Sequence, residues 1–208
     1  MDRIRKRALD LVVSIIGLVL LAVPFAVIAV SIRLDSRGPA FFRQERVGRG
    51  GQPFRVWKFR TMVVGAIETG LGVTVTANDE RITRVGRILR SWGVDELPQL
   101  VNVLSGEMSL VGPRPTLAYQ VEQYSVDQKR RLEAKPGITS LAVVSGRNGM
   151  SWAERIELDV WYVDHGTVWL DIKILFRTLW CVLVTKEGLY GSDGVNDPFV
   201  TPPATTDE

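Results

Sequence analysis

Residues 11–32 read LVVSIIGLVLLAVPFAVIAVSI, a run without a single charged side chain. As a helix at 1.5 Å per residue this run is roughly 33 Å long, enough for the ~30 Å hydrocarbon core of a bilayer. A cleaved signal peptide would have a shorter apolar region and a small-residue cleavage site. A buried helix of a soluble protein is rarely apolar around its whole circumference. The segment is therefore read as membrane-inserted. Both of its flanks are basic, with Arg3, Arg5, Lys6 and Arg7 before it and Arg33, Arg37, Arg43, Arg46 and Arg49 after it. Charge bias consequently fixes no orientation. Pro24 removes a backbone donor in mid-run and predicts a kink or break. Two arrangements fit these features equally. One is a re-entrant hairpin that leaves Met1 and the bulk of the chain on the same, cytoplasmic side; the other is a kinked single span, since proline is tolerated in spanning helices.

Outward from this run, the chain is 208 residues long, 46% hydrophobic and 24% charged. That suits one folded domain, alone or with an appendage, and excludes both a multidomain machine and a compositionally disordered chain. The net charge of +3 points to anionic partners without choosing among phosphates, nucleic acid and lipid. A lone cysteine, Cys181, excludes an internal disulfide framework, and a lone histidine, His165, argues against a zinc centre. Cys181 reads as a small hydrophobe and His165 as structural.

Residues 38–62 read as short extended pieces and turns around the glycines at 48, 50 and 51, with basic and aromatic residues interleaved. Residues 62–77 read as a loop. Ile82, Val85, Leu89 and Trp92 recur at helical spacing between Arg81, Arg84, Arg87 and Arg90, predicting an amphipathic basic helix with Arg81 and Arg84 on its solvated face. A second helix carries Leu97, Leu100, Val101 and Leu104 on one face, and Pro98 fits only its first turn. A polar helix is predicted over 119–133, a break at Lys135-Pro136-Gly137, and a short strand over 141–144. Trp152, Trp161, Trp169 and Trp180 lie in apolar helical sequence that suits either a membrane interface or core packing.

Asp95 and Glu96 fall at the amino end of the second helix. There free N–H groups and the helix dipole favour a carboxylate, so Asp95 is expected to stay ionised at neutral pH and available as a nucleophile. Alone, Asp95 reads as a cap and Glu96 as a first-turn charge. The weight shifts because of the cations around them in the sequence: Lys58, Arg60, Arg90, Arg114 in Gly112-Pro113-Arg114-Pro115, and Arg147 in Gly146-Arg147-Asn148. Arginine forks match phosphate oxygens, and rigid turns reduce the entropy lost in presenting them. A diphosphate substrate would use this set. Attack by a carboxylate on phosphorus brings two anions together, which calls for a divalent metal, Mg2+ being the natural choice, as well as the arginines.

These residues sit in blocks that resemble the small monotopic phosphoglycosyl transferases, or bacterial sugar transferases. The blocks are Gly38-Pro39, Phe42 to Gly48, Lys58 to Met62, Arg90 through Asp95-Glu96-Leu97-Pro98-Gln99-Leu100, Asn102 to Leu104, Met108 to Pro115, Lys135 to Thr139 and Gly146 to Asn148. The resemblance implies a mixed α/β, mostly helical fold, with a re-entrant membrane helix broken at Pro24 and amphipathic helices on the membrane surface. It divides the chain into the membrane helix and its flanks (1–37), a cytoplasmic catalytic part (38–185) and a poorly ordered tail (186–208). It implies ping-pong transfer of a sugar 1-phosphate from a UDP-sugar to polyprenyl (undecaprenyl) phosphate in the cytoplasmic leaflet of a bacterial inner membrane, with release of UMP. In that chemistry Asp95 is the nucleophile and the magnesium ligand and Glu96 handles protons. Lys58, Arg90, Arg114 and Arg147 match family positions associated with phosphate or substrate binding, and Arg60 is added to that set as a cation beside Lys58. A homodimer is allowed and nucleic acid is not a partner. Three positions depart from the family pattern: Val23 where many members have serine, Trp92-Gly93 where small hydroxyl residues are common, and Glu80 in place of a common proline. The rivals are a non-catalytic membrane scaffold, which would ignore nucleotide sugars, and a nucleic-acid binder, which leaves the apolar run unexplained.

Overall fold

The protein is described by a computed structural model covering residues 3–66, 68, 79–146 and 150–185. Helix α1 (Arg3–Asp35) contains the whole apolar run. Pro24 lies inside it and does not end it. The lost donor costs that turn one hydrogen bond, while Leu21 and Phe25 on either side pack against the rest of the protein. One stripe of α1 is docked along its length, through Asp10, Ser14, Leu18, Leu21, Phe25, Ile28 and Ile32, a repeat of three or four residues. Val12, Val13, Ile15, Ile16, Val19, Leu20, Val23, Val27 and Val30 face outward. Exposure of this many large apolar side chains on one helix suits lipid, not water.

Strands β1 (Phe41–Val47) and β2 (Pro53–Phe59) form an antiparallel hairpin, in register from Phe41 opposite Phe59 to Val47 opposite Pro53. Its turn uses Gly50 and Gly51 with φ of 67° and 79°, the left-handed region where glycine carries no steric cost. The other edge of β2 is met by a side chain: Asn102 Oδ1 accepts from Trp57 N–H at 2.9 Å and its Nδ2 donates to Arg55 O at 2.8 Å. Asn102 sits in α3 (Leu100–Ser105) and is fully buried.

Helix α2 (Arg84–Trp92) begins later than the apolar spacing suggests, because Thr83 caps it by accepting from Gly86 N–H. Arg84 is exposed as expected. Arg81 is not on a solvated face; it lies before the helix, half-buried, paired with Asp79 at 2.6 Å and donating to Ala66 O at 2.7 Å. Residues 94–99 form a 3-10 turn that continues into α3. Strand β3 (Ser109–Val111) pairs in parallel with β4 (Gly137–Thr139).

Two predicted elements differ. The polar stretch 119–133 is not one helix: α4 (Ala118–Glu122) ends before a capping box in which Ser125 and Gln128 bond each other's backbone, starting α5 (Val126–Lys129) and a 3-10 turn at Arg130–Glu133. The predicted strand at 141–144 is helix α6 (Leu141–Ser145), started by Ser140 Oγ accepting from Val143 N–H. That cap outweighs the β-branched propensity of Val143 and Val144, and the extended segment lies just upstream in β4. Helices α7 (Trp152–His165) and α8 (Val168–Trp180) close the described fold. Trp161, Trp169 and Trp180 are exposed there, with Phe176 and Leu179 on α8. The core is built on Val56, Leu100, Val103, Met108, Leu110, Val111, Tyr162 and Ile174, with a second cluster at Ile32, Ala40, Phe59 and Leu89 beside the carboxyl half of α1. Residues 67 and 69–77 of the predicted loop and the tail from 186 lie outside the described residues.

Candidate active site

The two carboxylates of the 3-10 turn are treated in opposite ways. Gly93, in the left-handed conformation at φ 66°, ends α2 and turns the chain so that Asp95 and Glu96 both point into protein. Glu96 is fully buried and takes charged hydrogen bonds from Lys58 Nζ to Oε1 at 2.7 Å and from the two terminal nitrogens of Arg114 at 2.8 and 3.1 Å. Burial alone would raise its carboxyl. The Arg114 and Lys58 charges together outweigh burial and hold Glu96 well below the usual carboxylate range. Lys58 reaches this position from β2 and Arg114 from the Pro113–Pro115 turn after β3, so the 3-10 turn, the hairpin and that turn converge on one carboxylate.

Asp95 has no such partners. It is 3% exposed, and its Oδ1 has no hydrogen-bond partner among the described residues. Burial, followed by the adjacent Glu96 charge, pushes its carboxyl up to about 6, opposed by the charges of Lys58, Arg90 and Arg114. Asp95 was expected to be held ionised by helix-end N–H groups. In the structure it is inside a 3-10 turn and makes no such bond; desolvation dominates instead. It remains mostly ionised at pH 7, as a desolvated carboxylate with an unpaired oxygen.

Arg90 lies beside this pair on the last turn of α2, held by Nε donating to Thr61 Oγ1 at 2.8 Å. Gly86 makes that approach possible, since a Cβ there would fall 2.1 Å from Thr61 O. Arg60 does not join the cluster. It is buried, and its guanidinium donates to the carbonyls of Ile32, Ser36 and Arg37, capping the end of α1. Arg147 lies outside the described residues.

Sequence reading missed a layer behind Arg114. Arg131 and Asp159 form a fully buried ion pair, and Arg131 also donates to Tyr124 Oη and to the Arg114 carbonyl at 3.1 Å. The carboxylate and guanidinium lie in separate elements, so no spacing marks them as partners. Among the described residues, no group of three or more His, Cys, Asp or Glu side chains could enclose a metal. Asp95, with an unpaired oxygen next to a Glu whose oxygens are both occupied, fits an ion such as magnesium that takes one protein carboxylate and completes its shell with phosphate and water.

Comparison with known proteins extends this geometry. The profile of the family described as bacterial sugar transferase matches residues 1–185. The chain is 44% identical over 192 residues to an uncharacterized sugar transferase, EpsL, of Bacillus subtilis, covering 92% of this chain and 93% of that one. It is 45% identical over 193 residues to the galactosyl transferase CpsE of Streptococcus agalactiae, covering 87% of this chain and 42% of the relative. It is 42% identical over 194 residues to the UDP-glucose:undecaprenyl-phosphate glucose-1-phosphate transferase of Escherichia coli, covering 89% and 41%. The chain thus spans nearly all of the first relative and about two-fifths of the length of the other two. With the match running from α1 through α8 and including the residues of the buried carboxylate pair, the chain belongs to the bacterial sugar transferase family.

Proposed function

We propose that the protein is a membrane-bound phosphoglycosyl transferase that moves a sugar 1-phosphate from a UDP-sugar to polyprenyl (undecaprenyl) phosphate by a ping-pong route, at the first membrane step of glycan assembly. The observation that carries this reading is the asymmetric pair: a buried, unpartnered Asp95 carboxylate beside a Glu96 locked by two cations. A desolvated carboxylate with a free oxygen is suited to nucleophilic attack. An Asp95 oxygen attacks the β-phosphorus, the bond from that phosphorus to the bridging oxygen breaks, and UMP leaves with the electron pair. In the second half-reaction an oxygen of polyprenyl phosphate attacks the same phosphorus and Asp95 is released as carboxylate. Lys58, Arg90 and Arg114 surround Asp95 with positive charge that offsets the approach of the diphosphate. Glu96 keeps Lys58 and Arg114 in place. A magnesium ion held by Asp95 would supply further charge neutralisation at the phosphates.

Membrane placement on one leaflet, with the catalytic part cytoplasmic, belongs to the same proposal. Its support is that both ends of α1 are tied to one folded body: Lys6 bonds Asp171 and Val111 O, Arg7 bonds Val103 O and Leu104 O, and at the other end Asp35 accepts from Val85 N–H. A helix crossing the bilayer would put these two sets on opposite sides. The exposed indoles of α7 and α8 suit the headgroup layer.

The names of relatives at similar identity mention both a galactosyl transferase and a glucose-1-phosphate transferase. Intact-mass measurement after mixing with UDP-sugars and magnesium tests the reading: a sugar-phosphate adduct on the wild type, located on Asp95 by digestion, with UMP released. Asp95→Asn is expected to lose the adduct and at least ~10³-fold in turnover. An active Asp95→Asn enzyme, or an adduct on another residue, overturns it.

A further inference from the structure

Gly106, which ends α3 in the left-handed conformation at φ 86°, leaves a niche walled by cations. A Cβ built there would lie 3.6 Å from Arg7 Nη2 and 3.6 Å from Lys135 Nζ. Two cationic nitrogens thus converge on the same side of Gly106, close enough together for the oxygens of one phosphate to meet both. Arg7 is fixed in place by donating to Val103 O at 2.6 Å and Leu104 O at 2.8 Å, the terminal carbonyls of α3. Arg49, whose Nε bonds Glu133 O, stands near Lys135 as a third cation. The Lys135 amine is half-buried, and no carboxylate lies within ion-pair distance of it among the described residues. The neighbouring carboxylates are engaged elsewhere. Asp10 accepts from Ser109 Oγ and Leu110 N–H, and Glu107 accepts from Asn102 and Ser105. Burial and the charges of Arg7, Arg49 and Lys6 lower the Lys135 pKa, with Asp10 opposing, so the cluster is short of negative charge.

Its place in the molecule identifies the anion. Arg7 is one helical turn before the apolar run that opens at Leu11, so the niche lies at the depth of lipid headgroups when α1 is in a bilayer. We propose that Arg7 and Lys135 beside Gly106, with Arg49 near Lys135, form a binding site for the phosphate of an anionic phospholipid headgroup, separate from the Asp95 cluster. The site rests on α1 lying in the membrane, not on the transfer chemistry.

The test uses the full chain in neutral detergent, titrated with dihexanoyl-phosphatidylglycerol and, separately, with dihexanoyl-phosphatidylcholine, with UMP release assayed in parallel. Wild type is expected to bind the anionic lipid more tightly. Lys135→Gln should lose roughly fivefold of that preference, the change expected from about 1 kcal/mol per basic residue at an anionic surface, while UMP release stays unchanged. Lys135→Arg should retain the preference, which shows that loss in the glutamine variant is not loss of folding. No preference in the wild type, or an undiminished preference in Lys135→Gln, overturns the site. Glycerol phosphate binding as tightly as the lipid, with the same dependence on Lys135, overturns the assignment to a lipid and makes it a soluble-phosphate site. Absence of UMP release with the lipid preference intact would count against the transferase reading alone.

Discussion

Asp95 is the clearest case of a side chain whose surroundings oppose stability. Its carboxyl is raised from 3.8 to about 6, so the folded protein binds its proton more tightly than the unfolded chain does. The stabilisation from that proton is present below pH 4 and is lost as the pH rises through 6. At pH 7.5 the ionised, desolvated group therefore costs about 3 kcal/mol. Asp95→Asn, while inactive, is expected to melt roughly 5 °C or more above wild type at pH 7.5 in chelator, with the gap closing towards pH 4. Differential scanning fluorimetry across that range checks it, and a variant that melts below wild type at pH 7.5 contradicts the desolvation account. Glu96 has the opposite sign. Its carboxyl is held low, so its contribution is present above pH 4.5 and is lost only as strong acid protonates it. Glu96→Gln is expected to lower the melting temperature at pH 7.5, because Arg114 and Lys58 are left beside a neutral group in buried surroundings.

At the scale of elements, the ends of α1 and α2 are tied by side chains whose roles the sequence only half reveals. Arg60 sits in a basic block and reads as a phosphate ligand, yet it caps α1. Spacing shows charge but not which carbonyls a guanidinium will reach. Arg60→Gln is expected to cost about 1–3 kcal/mol by leaving those carbonyls short of donors, and to leave the KM for the UDP-sugar unchanged in protein that stays folded. A raised KM at normal thermal stability would return Arg60 to the substrate. The extended pieces around the glycine turn, α2 and the helix after Asp95 were legible because turn residues and 3.6-residue spacing are local signals, whereas the pairing of those pieces into a hairpin was not read. The helix at 141–145 and the split of 119–133 were not, because in each case a single serine cap decides the element against the propensities around it. The Asp95–Glu96 site was legible as a motif in a cationic neighbourhood. Its inverted titration was not, since burial comes from tertiary packing.

For the whole molecule, the docked stripe of α1 supports the one-leaflet placement proposed above. In a run apolar on every side, no periodicity marks which residues face the protein, so the stripe through Asp10, Ser14, Leu21, Phe25 and Ile32 could not be read in advance. With both helix ends bound to one body, single cysteines placed at exposed Ile4 and Arg37 in a Cys181→Ser background are expected to react with an impermeant maleimide from the same side of sealed vesicles. Labelling from opposite sides would replace the re-entrant reading with a span. The long reach of the α1 contacts also bears on biogenesis. Lys6 meets Asp171 across 165 positions, and Asp10 meets Ser109 across 99. The first helix leaves the ribosome long before either partner has been translated, so in the nascent chain both ions have only water to solvate them. Until β3 and α8 arrive, those two charges hold their end of α1 in water; the pairing then made with Asp171 and Ser109 fixes α1 to the folded body.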